Sequence, residues 1–244
     1  MTVTLRAPAK LTLGLRVTGV RPDGYHLIDS EMVSLAIADL VTIDPDGDGV
    51  TVSGPFAGGI PVGADNLVSR ALALAGRRAG VHIDKRIPPG GGLGGGSSDA
   101  AAVLRWAGIT DPAHAARVGA DVAFCLGGGR ARVRGIGEMI EPLPPTDLDI
   151  TLVIPPLHCS TPAVYRAWDA LGGPEGDHGN DLEPAALHVE PEMRRWRDRI
   201  TDATGERPFL AGSGATWYLV GAHPHLADLL PDGQVVVTRT DRPV

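Results

Sequence analysis

The stretch Pro88-Pro89-Gly90-Gly91-Gly92-Leu93-Gly94-Gly95-Gly96-Ser97-Ser98-Asp99-Ala100-Ala101-Ala102-Val103-Leu104 constrains the fold of this chain more than any other. Glycines let the backbone approach a ligand closely and turn its N–H groups inward. Ser97, Ser98 and Asp99 are helix-start residues, and the alanines after them predict a helix over 100–107. A glycine loop running into a helix N-terminus offers unpaired N–H groups and a positive dipole end to phosphate. Glycine and serine also make flexible linkers. Here, however, the amphipathic strand pattern of residues 81–87, the glycines and the helix follow without a gap.

Two familiar nucleotide loops fit poorly. Gly90, Gly92 and Gly95 satisfy G-x-G-x-x-G, but a run this rich would do so by accident, and Gly108-Ile109-Thr110-Asp111-Pro112 follows where a second buried strand with an acidic end is needed. That weakens a dinucleotide-dependent oxidoreductase. Walker A fails because no Gly-Lys-Ser/Thr follows the glycines.

The remaining pattern is mixed. Val3, Leu5 and Ala7, then Leu11, Leu13, Leu15 and Val17, alternate as in a half-buried strand, with a bend or bulge expected at Pro8. Turns are expected at Arg21-Pro22-Asp23-Gly24 and at residues 44–49, the second separating Leu40–Ile43 from Val50–Val52. Asp65 is positioned to cap a helix over 66–79. The stiff segment Glu141-Pro142-Leu143-Pro144-Pro145-Thr146 reads as a domain junction. Beyond it, helices are predicted over 162–171 and 191–203, and strands over 150–154, 208–210, 217–220 and 235–238.

A formal charge of −7 argues against a protein that grips nucleic acid by neutralising phosphates. With only Cys125 and Cys159, a disulfide framework is not expected, and both read as packing residues. No signal-peptide pattern and no apolar run long enough to cross a membrane occurs, so a cytoplasmic protein is expected. Among 22 basic residues only Lys10 and Lys85 are lysine, which marks both as candidates for sites that need a compact ammonium.

The glycine loop resembles the central motif of the GHMP kinases, named for galactose, homoserine, mevalonate and phosphomevalonate. Ala7-Pro8-Ala9-Lys10-Leu11-Thr12-Leu13 resembles their first motif, and Leu210-Ala211-Gly212-Ser213-Gly214-Ala215-Thr216 their third. Four more segments resemble one branch of the superfamily, whose acceptor is a cytidylated methylerythritol of the non-mevalonate isoprenoid route. They are Arg21-Pro22-Asp23-Gly24-Tyr25-His26, Asp84-Lys85-Arg86-Ile87-Pro88, Gly119-Ala120-Asp121-Val122 and Gly179-Asn180-Asp181-Leu182.

The resemblance implies an α+β fold of two lobes, an S5-like N-terminal lobe over 1–146 and a ferredoxin-like C-terminal lobe over 147–244, with the site between them. It implies phosphorylation of a 2-hydroxyl by ATP, with Mg2+ neutralising the triphosphate. Asp121 matches the catalytic aspartate and Lys10 its partner. Tyr25, His26 and Tyr165 match the residues around the cytosine, with Thr12, Gly212 and Ser213 also on the acceptor side. Pro89, Gly90, Gly91, Gly92, Leu93, Gly94, Gly95, Gly96, Ser97 and Ser98 match the ATP loop, and Asn66 and Lys85 its adenine and ribose side. The magnesium ligands stay open, with Ser98 one candidate oxygen. A monomer or homodimer is expected.

Three departures stand out: Thr12 where asparagine is usual, Ala123 where proline is usual, and a stretch between Ala102 and Gly119 about one helix shorter than usual. A homoserine- or mevalonate-type kinase is the alternative within the superfamily, although those acceptors have no base to stack. A silent nucleotide binder is the alternative outside catalysis, although Asp121 and Lys10 are both present.

Overall fold

The computed structural model describes residues 1–244. Strand β1 (Val3–Val20) and strand β2 (His26–Asp44) form one long hairpin, closed by the expected turn. In that turn Arg21 N donates to Tyr25 O at 2.8 Å and Gly24 N to Arg21 O at 2.9 Å. Gly24 takes φ +85°, which an L side chain resists.

The irregularity expected at Pro8 is a register shift between Pro8 and Lys10 inside an unbroken strand. Pro8 faces Ala38 and Lys10 faces Ser34, so three residues of β2 stand opposite Ala9 of β1 and the ladder is locally broken there. Val3, Leu5 and Ala7 pack into a core beneath the first sheet. Leu11 and Leu13 join a second core between the lobes, and Leu15 and Val17 a third in the C-terminal half. One strand thus threads all three cores, and residues 7–12 are buried without alternation.

The other edge of β2 is shared by β4 (Gly80–Asp84) and β5 (Arg130–Gly135), with β3 (Val50–Ser53) outside β4 and β6 (Met139–Pro142) outside β5. The turn at 44–49 forms, but the strands flanking it are not neighbours. β4 inserts between them and pairs parallel to β3 through the crossover helix α1 (Leu67–Leu74).

Several boundaries differ from the sequence expectation. Asn66, not Asp65, caps α1, and Gly76 at φ +60° stops it short of residue 79. β4 ends at Asp84 rather than 87. Helix α2 (Gly95–Trp106) starts inside the glycine run, five residues earlier than the alanine pattern indicates. Ser97, Ser98 and Asp99 are therefore helical residues rather than caps; burial of the following Ala-Ala-Ala-Val-Leu face outweighs glycine's poor propensity. The short stretch after α2 holds a single turn, α3 (Pro112–Ala115), capped by Asp111, before α4 (Ala120–Gly127). β5 and β6 were not legible, because Arg130, Arg132 and Arg134 alternate with small residues rather than with large apolar ones.

The second sheet, in the order β10-β7-β9-β8, is antiparallel: β7 (Asp149–Ile154), β8 (Phe209–Leu210), β9 (Trp217–Val220) and β10 (Gln234–Arg239). With it go α5 (Thr161–Ala170), α6 (Glu183–Val189), α7 (Glu192–Thr204) and the short α8 (Leu226–Leu229). Trp196, Trp217, Leu182 and Met193 fill the core there. Ala9, Leu11, Leu35, Ile87 and Leu93 from the first half meet Ile150, Leu152, Ile154 and Tyr218 from the second. Polar ties reinforce that contact. Tyr218 OH donates to Leu13 O at 2.7 Å, and the C-terminal residues return to the first half through Asp241 N to Ser34 O at 2.8 Å. No helix is long and apolar enough to cross a membrane.

Candidate active site

A cleft of about 550 Å³ opens where β1, the glycine loop, α4, α5 and the 211–213 turn converge. Lys10 is buried just past the register shift between β1 and β2, and Lys10 N donates to Leu93 O at 2.9 Å, tying the strand to the glycine loop. The Lys10 ammonium lies 3.3 Å from Asp121 Oδ2 and donates to Thr12 Oγ1, also at 3.3 Å. Two of its three N–H groups are thus engaged, leaving one for incoming negative charge. Asp121 sits in the first turn of α4, where the helix dipole favours a carboxylate. Its side chain is 37% exposed, against 8% for that of Lys10, so the carboxylate faces the cleft while the ammonium is held behind it.

The glycine loop is built by backbone that other residues resist. Gly90, Gly92 and Gly94 have φ of +77°, +73° and +67°. The loop also packs directly on the third motif: a Cβ on Gly214 would come within 2.8 Å of Gly91 O, and one on Gly91 within 2.3 Å of Thr216 Oγ1. The two glycine motifs belong together because each occupies the space a side chain on the other would need. Gly94 is the N-cap of α2, so the first N–H groups of that helix have no intrahelical partner and face outward from the loop.

An aromatic group closes the other end of the cleft. The His26 ring lies 4.6 Å from that of Tyr165 and 5.5 Å, edge-on, from that of Trp168. Its Nε2 meets Asp169 Oδ1 at 2.8 Å. Burial, and then the charge of Asp121, push the Tyr165 hydroxyl up to about 12, so it stays a neutral donor. Tyr25, on the hairpin turn, is 59% exposed at the mouth, with the Arg21 guanidinium 5.9 Å from its ring centre. Ser213 Oγ shares a hydrogen bond of 2.8 Å with Thr161 Oγ1, and Gly212 packs against Thr12.

The structure thus gathers Lys10, Thr12, Tyr25, His26, Asp121, Tyr165, Gly212 and Ser213 around one cleft with Gly92 of the loop. It engages Asn66 and Lys85 elsewhere. Asn66 caps α1, its Oδ1 accepting from Val68 N at 2.8 Å and its Nδ2 donating to Pro61 O at 2.6 Å. The Lys85 ammonium is buried beneath α2, bonded to Asp39 and, at 2.6 Å, to Asp99. Burial alone would lower its pKa, but the two carboxylates outweigh that and hold it above the ordinary range. Burial raises the Asp99 carboxyl to about 7 despite Lys85. A lysine so committed does not present its ammonium to a nucleotide edge.

Sequence reasoning missed Trp168 and Asp169, although both lie three and four residues beyond Tyr165 and so share its helix face. It also missed Thr161, Asp39 and Asp99, whose partners are distant in sequence.

A deep cleft flanked by a glycine loop at a helix N-terminus, with a lysine–aspartate pair at its floor, defines a small-molecule kinase of the GHMP fold. Residues 66–129 match the model of the GHMP kinases N terminal domain. The 4-diphosphocytidyl-2-C-methyl-D-erythritol kinase of Paracoccus denitrificans is 41% identical over 231 residues, covering 87% of this chain and 84% of that protein. The enzyme of the same name from Dinoroseobacter shibae is 48% identical over 243 residues, covering 87% and 83%. A crystal structure of 4-(cytidine 5'-diphospho)-2C-methyl-D-erythritol kinase superposes with a TM-score of 0.77 at 34% identity, covering 98% of this chain and 99% of that one. Homoserine kinase from Cytophaga hutchinsonii, at 18% identity and a TM-score of 0.62, shares the fold. This chain belongs to the 4-diphosphocytidyl-2-C-methyl-D-erythritol kinase family.

Proposed function

We propose that the chain transfers the γ-phosphoryl group of ATP to the 2-hydroxyl of 4-diphosphocytidyl-2-C-methyl-D-erythritol, in the non-mevalonate supply of isoprenoid precursors. The observation that carries the residue assignment is the Lys10–Asp121 pair, 3.3 Å apart at the floor of the cleft. Asp121 accepts the hydroxyl proton or orients the hydroxyl as its oxygen bonds to the γ-phosphorus, while the bond from that phosphorus to the β,γ-bridging oxygen breaks and ADP leaves. Lys10 pairs with that carboxylate and meets the charge that develops on the transferred group.

Pro89 to Ser98 form the nucleotide side, the N–H groups at the start of α2 meeting the phosphates. Lys85 acts from beneath that loop as counter-charge to Asp39 and Asp99, and Asn66 as the cap of the adjacent α1, rather than as direct ligands. Ser98 Oγ is buried without a hydrogen-bond partner in the first turn of α2, which suits one protein oxygen beside phosphate oxygens on Mg2+. When bound, Mg2+ neutralises the triphosphate.

The aromatic end takes the cytosine. Tyr25 and Tyr165 supply faces to stack on, and His26, oriented by Asp169, supplies a polar edge. Thr12, Gly212 and Ser213 line the acceptor between base and phosphate. Thr12 keeps one role open to a hydroxyl, accepting from Lys10, but lacks the amide's paired donor. Residues 1–146 and 147–244 are read as the two lobes, and the protein as a cytoplasmic monomer or homodimer.

The test is ADP release with Mg-ATP, comparing the cytidylated methylerythritol with homoserine and mevalonate. Turnover with the first acceptor alone is expected. Asp121→Asn should lower kcat by about 10²- to 10⁴-fold with ATP affinity retained. Preference for another acceptor overturns the reading of the aromatic end.

A further inference from the structure

The segment Gly179-Asn180-Asp181-Leu182 contributes no side chain to the cleft, yet it joins two parts that do. Leu15 N donates to Gly179 O and Asp181 N to Leu15 O, both at 2.9 Å, so the segment lies parallel beside β1. Asp181 fixes it further, accepting from Val17 N at 2.9 Å and from Gly176 N at 3.0 Å, and pairing with Arg16. Asn180, 2% exposed, faces the other way. Its Nδ2 donates to Leu210 O at 3.0 Å and to Gly212 O at 2.7 Å, while its Oδ1 accepts from Leu182 N at 3.0 Å.

The two carbonyls belong to the turn that lines the acceptor side. Gly212 lies against Thr12, a Cβ there falling 3.4 Å from Thr12 Oγ1, and Thr12 Oγ1 accepts from Lys10. A continuous set of contacts therefore runs from Asn180 through Gly212 and Thr12 to the Lys10 ammonium. Gly212 takes φ +67°, so the turn has a preferred shape, and Asn180 ties that turn to the segment paired with β1.

We propose that Asn180 is a positioning residue for the acceptor: its side-chain amide fixes the Gly212–Ser213 turn against β1 and so sets the gap in which the acceptor is held. The proposal rests on the reading of Thr12, Gly212 and Ser213 as the acceptor side. An amide is required because two carbonyls and one N–H converge on a single side chain. Aspartate matches the shape but turns an acceptor toward two acceptors.

The experiment is steady-state kinetics with ATP and the cytidylated acceptor on the full chain, with ATP affinity by calorimetry and stability by urea unfolding. Asn180→Asp and Asn180→Ala should each raise the acceptor KM by about tenfold, the equivalent of one lost hydrogen bond, with ATP affinity unchanged. Asn180→Ala carries no new charge, and so tests the same point if the aspartate variant fails to fold. Tyr218→Phe, which removes a buried hydrogen bond to Leu13 of β1 and none to Gly212 or Ser213, is the control for lost stability alone and should leave the acceptor KM unchanged. An unchanged acceptor KM in Asn180→Ala, equal losses of ATP and acceptor binding, or the same KM shift in Tyr218→Phe overturns the proposal. Absence of turnover by the wild-type chain would instead overturn the functional reading on which it rests.

Discussion

Replacing Gly94 with alanine should disable catalysis through a neighbour rather than through the loop itself. Gly94 has φ +67°, so any L residue there carries roughly 1–2 kcal/mol of backbone strain. The second effect is specific: the new Cβ would lie 2.6 Å from Lys10 Cγ. Carbon atoms rest about 3.5–4.0 Å apart, so the lysine stem must retreat by about 1 Å. Its ammonium is already 3.3 Å from both Asp121 and Thr12, and a further ångström exceeds hydrogen-bond reach for at least one of them. A misplacement of that size costs about 100-fold in rate.

The matched control is Gly108→Ala just beyond the far end of the same helix. There φ is +81°, and nothing lies within 4 Å of the added Cβ. ADP release and urea unfolding on both variants separate the effects. Both should lose about 1 kcal/mol or somewhat more of stability, from the shared strain. Only Gly94→Ala should lose kcat, by about two orders of magnitude. Equal kcat losses in the two variants, or wild-type kcat in Gly94→Ala, would refute the argument that Lys10 displacement is the cause.

Two further outcomes follow from buried polar groups. The Asp99 carboxyl is raised from 3.8 to about 7 in the folded chain, chiefly by burial. The native state then binds that proton more tightly than the unfolded state, so the contribution is whole below the unfolded value and is lost as pH rises through about 7. Urea unfolding between about pH 5 and about pH 8 should show wild-type stability falling with pH more steeply than that of Asp99→Asn; parallel slopes would contradict this. Tyr218→Phe should lose about 1 kcal/mol through its missing bond to Leu13 O, with kcat unchanged, as unfolding and turnover assays can establish.

The features legible in consecutive residues were local ones. The glycine run, the Lys10 and Asp121 motifs and the 210–216 motif each require particular backbone conformations or a particular ionisable group, and those requirements are written in consecutive residues. The hairpin turn at Arg21–Tyr25 and an irregularity beside Pro8 were legible for the same reason: proline and glycine act on their own φ. Tertiary structure decided the rest. Whether Lys85 met a nucleotide or a carboxylate depended on Asp39, 46 residues away in sequence, and on burial of Asp99. Where α2 began depended on the core that its alanine face could fill, which outweighed the poor helix propensity of Gly95 and Gly96. The placement of β4 between β2 and β3, and the role of Asn180, arise from contacts across the fold. Such contacts leave no period or spacing in the chain, because free energy of burial and hydrogen bonding depends on proximity in space, while sequence pattern records only proximity along the backbone.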